Sequence, residues 1–191
     1  MRKALACAAA AIAILGWTRA AAAQEACKTT KLEPPALTLS KTYAMAEKHA
    51  KAWKKDAVPA RLGNTSLGPL KADGSSTAWN FQFFSESANA TVMINTFRGS
   101  LTCWAQPGPA GRIPDLKADF FRDGAKLYGV AKEKGGEYID KGYAVMIQTA
   151  AAPSDRHATW YINFSQEGGK DAPLSVILDA NTGAVESVLT H

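Results

Sequence analysis

One pattern occurs twice in this chain and constrains its fold more than any other feature. Residues 92–99 and 176–183 each read as an apolar run, an Asn or Asp (Asn95, Asp179), three further residues and a Gly (Gly99, Gly183). An Asx side chain can accept backbone N–H bonds and Gly supplies the positive φ of a tight turn, so each copy predicts a hairpin. A short returning strand follows the Gly in both, at 100–104 and 184–189. A Trp-led strand precedes each. In 77–83, Trp79, Phe81 and Phe83 alternate with Asn80 and Gln82, and Phe84 breaks the pattern at its end. In 159–164, Trp160, Ile162 and Phe164 alternate with Tyr161 and Asn163.

Upstream of each strand set the apolar period becomes helical. Leu39, Tyr43, Ala46, Ala50 and Trp53 recur at three- and four-residue steps and predict a helix over 40–55, capped by Thr38 or Ser40. Leu116, Phe120, Leu127, Tyr128 and Ala131 predict a second over 115–134, with Pro114 and Asp115 at its start and Gly135-Gly136 after its end. The expected class is therefore α+β: two tandem repeats, each one helix packed on an antiparallel β-meander. The repeats span 24–105 and 114–191, joined by the Pro/Gly-rich stretch 106–113. That join is short, so the repeats pack closely, with a shared continuous sheet as one arrangement.

Residues 1–23 have the form of a secretory signal: Arg2 and Lys3, an apolar stretch from Ala4, and Ala21-Ala22-Ala23 before Gln24. The apolar run is too short to span a membrane, no later segment is longer, and export to the periplasm or beyond is expected. Cleavage after residue 23 removes three of the 22 bases and no acid, leaving 19 bases against 17 acids, a net of +2. With the densest basic run, Lys48, Lys51, Lys54 and Lys55, on the outer side of a helix, nucleic acid is not an expected partner. Cys7 leaves with the leader, so Cys27 and Cys103 are expected to form a disulfide in an oxidising compartment. Closure of a loop of that length contributes on the order of 4 kcal/mol in the chain-entropy account.

Residues 174–185, from Leu174 through Asp179 and Gly183 to Val185, resemble the signature of the PepSY domain family. There a hydrophobic strand, an Asp, a short turn ending in Gly and a returning strand follow a helix and an earlier strand. The resemblance covers roughly 115–189. Residues 24–104 match more loosely, with Asn95 in place of Asp and Phe97-Arg98 in place of a polar turn. PepSY-like domains occur in propeptides of secreted peptidases, where they hold the enzyme inactive, and as free-standing exported proteins. A tandem of similar units is also the plan of the secreted protein inhibitor of β-lactamase. By this fold-level analogy the resemblance implies a binding or inhibitory module.

Residues for catalysis do not assemble in the sequence. His49 reads as a surface residue among lysines, and neither it nor His157 has partners at zinc-ligand spacing, so no metal or other cofactor is expected. Asp155-Arg156-His157 with Ser154 or Ser165 lacks a nucleophile elbow, and Gly63 to Gly68 has the wrong spacing for one. The expected function is that of a non-enzymatic exported module that binds a protein or peptide through the exposed face of its sheet. Asn80, Gln82, Tyr161 and Asn163 are the candidate binding face, because alternation turns them away from the helix side. Trp104 either joins them or packs on the disulfide. The alternatives are a carrier holding a small apolar ligand between helix and sheet, and an enzyme of unrecognised type.

Overall fold

The computed structural model describes residues 24–108, 111–113, 116, 120–150, 157–166 and 171–191. The expected leader, Pro114-Asp115 at the expected start of the second helix, and Ser154 to Arg156 lie outside these residues. The first stretch runs β1 (Gln24–Lys31), β2 (Leu37–Thr38), α1 (Leu39–Trp53), β3 (Val58–Asn64), β4 (Ser75–Ser76), β5 (Ala78–Ser85), β6 (Ala90–Phe97) and β7 (Ser100–Pro107). The second runs α2 (Gly124–Asp140), β8 (Ala144–Ala150), β9 (Thr159–Ser165), β10 (Asp171–Asp179) and β11 (Val185–Thr190).

Nine of these strands form one antiparallel sheet in the order β1-β7-β6-β5-β3-β8-β9-β10-β11, and β2 pairs with β4 apart from it. This overturns the expectation of two tandem repeats, each a helix on its own meander. Strand makes up 46% of the structure and helix 22%, so the sheet and not a pair of helix-on-meander units defines the fold. The difference arises at β3 and β8, which lie between the two expected strand sets and join them edge to edge. Neither set keeps a core of its own: the buried apolar residues from Leu39 through Phe81, Ile147 and Phe164 to Leu178 form one cluster.

The β3–β8 seam is held largely by side chains. Backbone pairing is confined to Gly63 opposite Gln148. Around it, Thr149 Oγ1 accepts from Leu62 N at 3.1 Å, and Asn64 Oδ1 accepts from Ile147 N at 2.7 Å. The Asn64 amide donates back to the Val145 carbonyl at 3.2 Å and to the Gly68 carbonyl at 2.9 Å. Asn64 is buried, and unsatisfied groups there would each cost roughly 1–3 kcal/mol. Gly63 is required by the approach: a Cβ would come within 2.6 Å of the Ile147 carbonyl oxygen.

Both helices lie on one side of the sheet, α1 over β5 and β6, α2 over β8, β9 and β10. α1 is capped by Thr38, whose hydroxyl accepts from Lys41 N, and buries Leu39, Tyr43, Ala46 and Ala50. Trp79, Phe81 and Phe83 form the floor beneath it, each at most 1% exposed. Burying each such side chain is worth roughly 1.5–3 kcal/mol. Tyr43 meets Phe81, Phe83 and Phe121 at 5.1–6.3 Å between ring centroids, and burial pushes its phenol well up from the ordinary value. These rings fill the space between α1 and the sheet. α2 begins nine residues later than expected and continues past Gly135, where φ/ψ is non-helical and where a Cβ would run into the Phe164 ring. Phe120 and Leu116 precede this helix and pack on the core from outside it. Among the described residues, no helix is long and apolar enough to cross a membrane.

Candidate functional site: the helix-free face

The pairing registers place the expected face residues. One cross-sheet row runs Thr102, Asn95, Asn80, Gly63, Gln148, Tyr161, Ile177 and Ser187, each opposite the next. Asn80 and Tyr161 therefore share a row three strands apart, roughly 14 Å at ordinary strand spacing. Gln82, opposite Arg61, and Asn163, opposite Met146, lie one pleat away on the same side. All four are half-buried and have the opposite parity to the fully buried Trp79, Phe81, Trp160 and Ile162.

Two of the four, Asn80 and Asn163, are hydrogen-bonded within the sheet surface. The Asn80 amide donates to Asn95 Oδ1 at 2.6 Å, and Ser175 Oγ donates to Asn163 Oδ1 at 2.7 Å. Arg61 Nη2 reaches across the seam to Gln148 Oε1 at 2.8 Å. The amides are thus held in place rather than free to swing, which lowers the ordering cost of a contact made to them.

At the β5–β6–β7 end of this face lies an open groove of about 620 Å³. Asn80, Asn95 and Thr102 line it, with Trp104, Phe97, Arg98 and Leu67 around them. Leu67 is 69% and Phe97 39% exposed, so this is an apolar concavity open to solvent. Arg98 stacks on Phe97 at 5.0 Å from the ring centroid. The structure brings Asn80 into the groove and leaves Gln82, Tyr161 and Asn163 on the flatter sheet beyond it.

Trp104 has the parity opposite to Cys103, so it lines the groove instead of packing on the disulfide. Cys103 faces Cys27 across the β1–β7 ladder and forms the disulfide with a Cα separation of 5.4 Å. His49 is half-buried with a ring nitrogen close to both sulfurs, and so is not a plain surface residue on the lysine side of α1. Sequence reasoning missed Leu67, Phe97 and Arg98 as groove residues. The signal was present in Phe97-Arg98, an apolar-cationic pair at a turn that polar residues usually occupy.

A second grouping also escaped the sequence. His157, Asp179 and Glu186 converge beside the β10–β11 turn with one donor atom from each inside 4.8 Å. Burial opposes charge on Asp179, but N–H bonds from Thr182 and Asn181 and the neighbouring His157 outweigh it and hold the carboxyl below its ordinary range.

No family model matches the chain, and no curated protein or solved structure is significantly similar to it.

Proposed function

We propose that the protein is a non-catalytic binding module that takes a protein or peptide segment on its helix-free face, with an apolar side chain of the partner seated in the groove. The observation that carries this reading is the groove itself. Exposed Leu67 and Phe97 and half-buried Trp104 wall a concavity whose floor carries the fixed amides of Asn80 and Asn95. An apolar anchor surrounded by oriented polar groups is the arrangement that concentrates binding energy at protein interfaces. The hairpin resemblance at residues 174–185 supports an inhibitory role of the peptidase-regulating kind within this class. Export is part of the same proposal and is supported by the leader pattern and the disulfide.

A random peptide library panned on the oxidised protein should return segments with a large apolar residue that quench or shift Trp104 fluorescence. Trp104→Ala and Asn80→Ala should each weaken them about tenfold, roughly 1.4 kcal/mol. Peptides that bind both variants as tightly as the parent would sink the proposal. The groove volume also falls in the range of small-ligand sites, which favours a carrier of a small apolar ligand as the second reading. Native mass spectrometry of freshly purified protein separates the two: a bound small molecule lost in Trp104→Ala selects the carrier.

A further inference from the structure

We propose that His157, Asp179 and Glu186 form a binding site for a divalent transition metal of the zinc class, independent of the groove. The three residues come from separate segments: His157 just before β9, Asp179 at the end of β10 and Glu186 in β11. Their donor atoms are His157 Nε2, Asp179 Oδ2 and Glu186 Oε1. Zinc bonds to His nitrogen and carboxylate oxygen at about 2.0–2.2 Å in tetrahedral geometry, which separates neighbouring donors by about 3.4 Å. Nε2 and Asp179 Oδ2 are 3.5 Å apart already. Nε2 and Glu186 Oε1 are in direct contact, and rotation of the partly exposed Glu186 side chain opens that pair to metal spacing.

Asp179 is turned for the role. Its Oδ1 accepts N–H bonds from Asn181 at 2.8 Å and Thr182 at 2.7 Å, which leaves Oδ2 facing the imidazole. Such outer bonds orient a ligating carboxylate. Two carboxylates and a neutral imidazole carry a charge of about −2, which one divalent ion balances. The imidazole selects zinc, cobalt, nickel or copper over magnesium and calcium, which prefer all-oxygen sites. His157 has about half its side chain exposed, so the site opens to solvent and three protein ligands leave a coordination position vacant for water or a partner's side chain. Because the ligands come from the segment before β9, from β10 and from β11, a bound ion would also tie the outermost strand to its neighbours.

The test uses the untagged, oxidised protein. Zinc titrated calorimetrically should bind with one site per chain, and cobalt should give the visible absorption of a four-coordinate ion that zinc then displaces. His157→Ala and Glu186→Gln should each weaken binding at least tenfold, while magnesium shows none. Both substitutions fall on exposed side chains, and an unchanged circular dichroism melt in the absence of metal checks that they fold. His49→Ala and His191→Ala should leave the affinity unchanged. Absence of zinc binding, or binding that survives His157→Ala and Glu186→Gln but is lost in His49→Ala or His191→Ala, overturns the proposal.

Discussion

The β6–β7 and β10–β11 hairpins share a sequence pattern and close in different ways. In the first, Asn95 stays in the ladder opposite Thr102, and the turn comes later at Arg98 and Gly99, both with positive φ, +47° and +77°. A two-residue turn of this kind matches strand twist, and β6 pairs with β7 without a register shift. In the second, Asp179 still pairs with Thr159 of β9, but the β10–β11 register ends at Leu178 and Asp179 starts the turn. Its side chain accepts from Asn181 and Thr182, its carbonyl accepts from Gly183 N at 2.9 Å, and a register shift follows between Ile177 and Leu178. The reason lies in the neighbours. Asn95 Oδ1 is taken by Asn80 from the next strand, whereas the Asp179 carboxylate finds its donors in its own turn. The first hairpin is also flanked on both sides and cross-linked to β1; the second ends at the free edge β11.

The largest expected effect removes the cross-link that distinguishes the first region. The Cys27→Ser, Cys103→Ser pair should cost on the order of 4 kcal/mol, since the bridge spans a sequence separation of 76. Denaturant midpoints with and without reductant measure it. If β6–β7 amides then exchange as fast as those of β10–β11, the disulfide accounts for the contrast. If β6–β7 stays slower, flanking by paired strands accounts for it.

A smaller effect compares the two turn glycines, both at φ +77°. A Cβ at Gly99 meets Pro35 Cβ at 3.3 Å, so Gly99→Ala should cost mainly the left-handed backbone penalty, about 1–2 kcal/mol. A Cβ at Gly183 runs into the Phe120 ring as well, and Gly183→Ala should cost about 1 kcal/mol more. Equal melting shifts for the two variants would mean that Phe120 yields without cost.

The smallest effect is the acid response. Backbone N–H donation from Ser87 and the Ser85 hydroxyl hold Asp56 at about 2, against 3.8 ordinarily. Its folded pKa is depressed, so its stabilisation is complete above 3.8 and is lost as pH falls through about 2. Asp179 is depressed as well and behaves with the same sign, whereas Asn95 does not titrate. Acidification from about pH 5 to about pH 2 should therefore loosen the β10–β11 turn and the Ser85–Ser87 corner before the Arg98-Gly99 turn. Amide exchange at Gly99 and Gly183 measures the order, and loss of Gly99 protection first would contradict it.

Parts of this molecule are legible in its residues and parts are not. Alternation puts Asn80 with Gln82 on one side of β5 and Tyr161 with Asn163 on one side of β9, because a strand's side-chain period is two wherever it sits. The Thr38 cap and the stripe from Leu39 to Ala50 mark α1 by local hydrogen bonding and a 3.6-residue period. By contrast, β3 contains Pro59 and Gly63 and carries no alternation to read. It is a strand because Gly63 admits the Ile147 carbonyl and Asn64 replaces missing ladder bonds, and both reasons lie more than 80 residues away in the chain. The start of α2 is not legible for a related reason: Gly124, a poor helix former, sits where a Cβ would come within 2.6 Å of the Gly74 carbonyl oxygen.

What the sequence determined by itself are the features set by near neighbours: strand faces, a helix stripe, two turn signals and the pair Cys27 and Cys103. Only the tertiary structure decided that the strands merge into one sheet, that Leu67, Phe97 and Trp104 meet around Asn80, and that His157 reaches Asp179 and Glu186. These depend on register between distant strands, where a shift of one residue would turn every side chain to the other face. Local periodicity specifies which side of a strand is apolar; the partner across the ladder decides what that side touches.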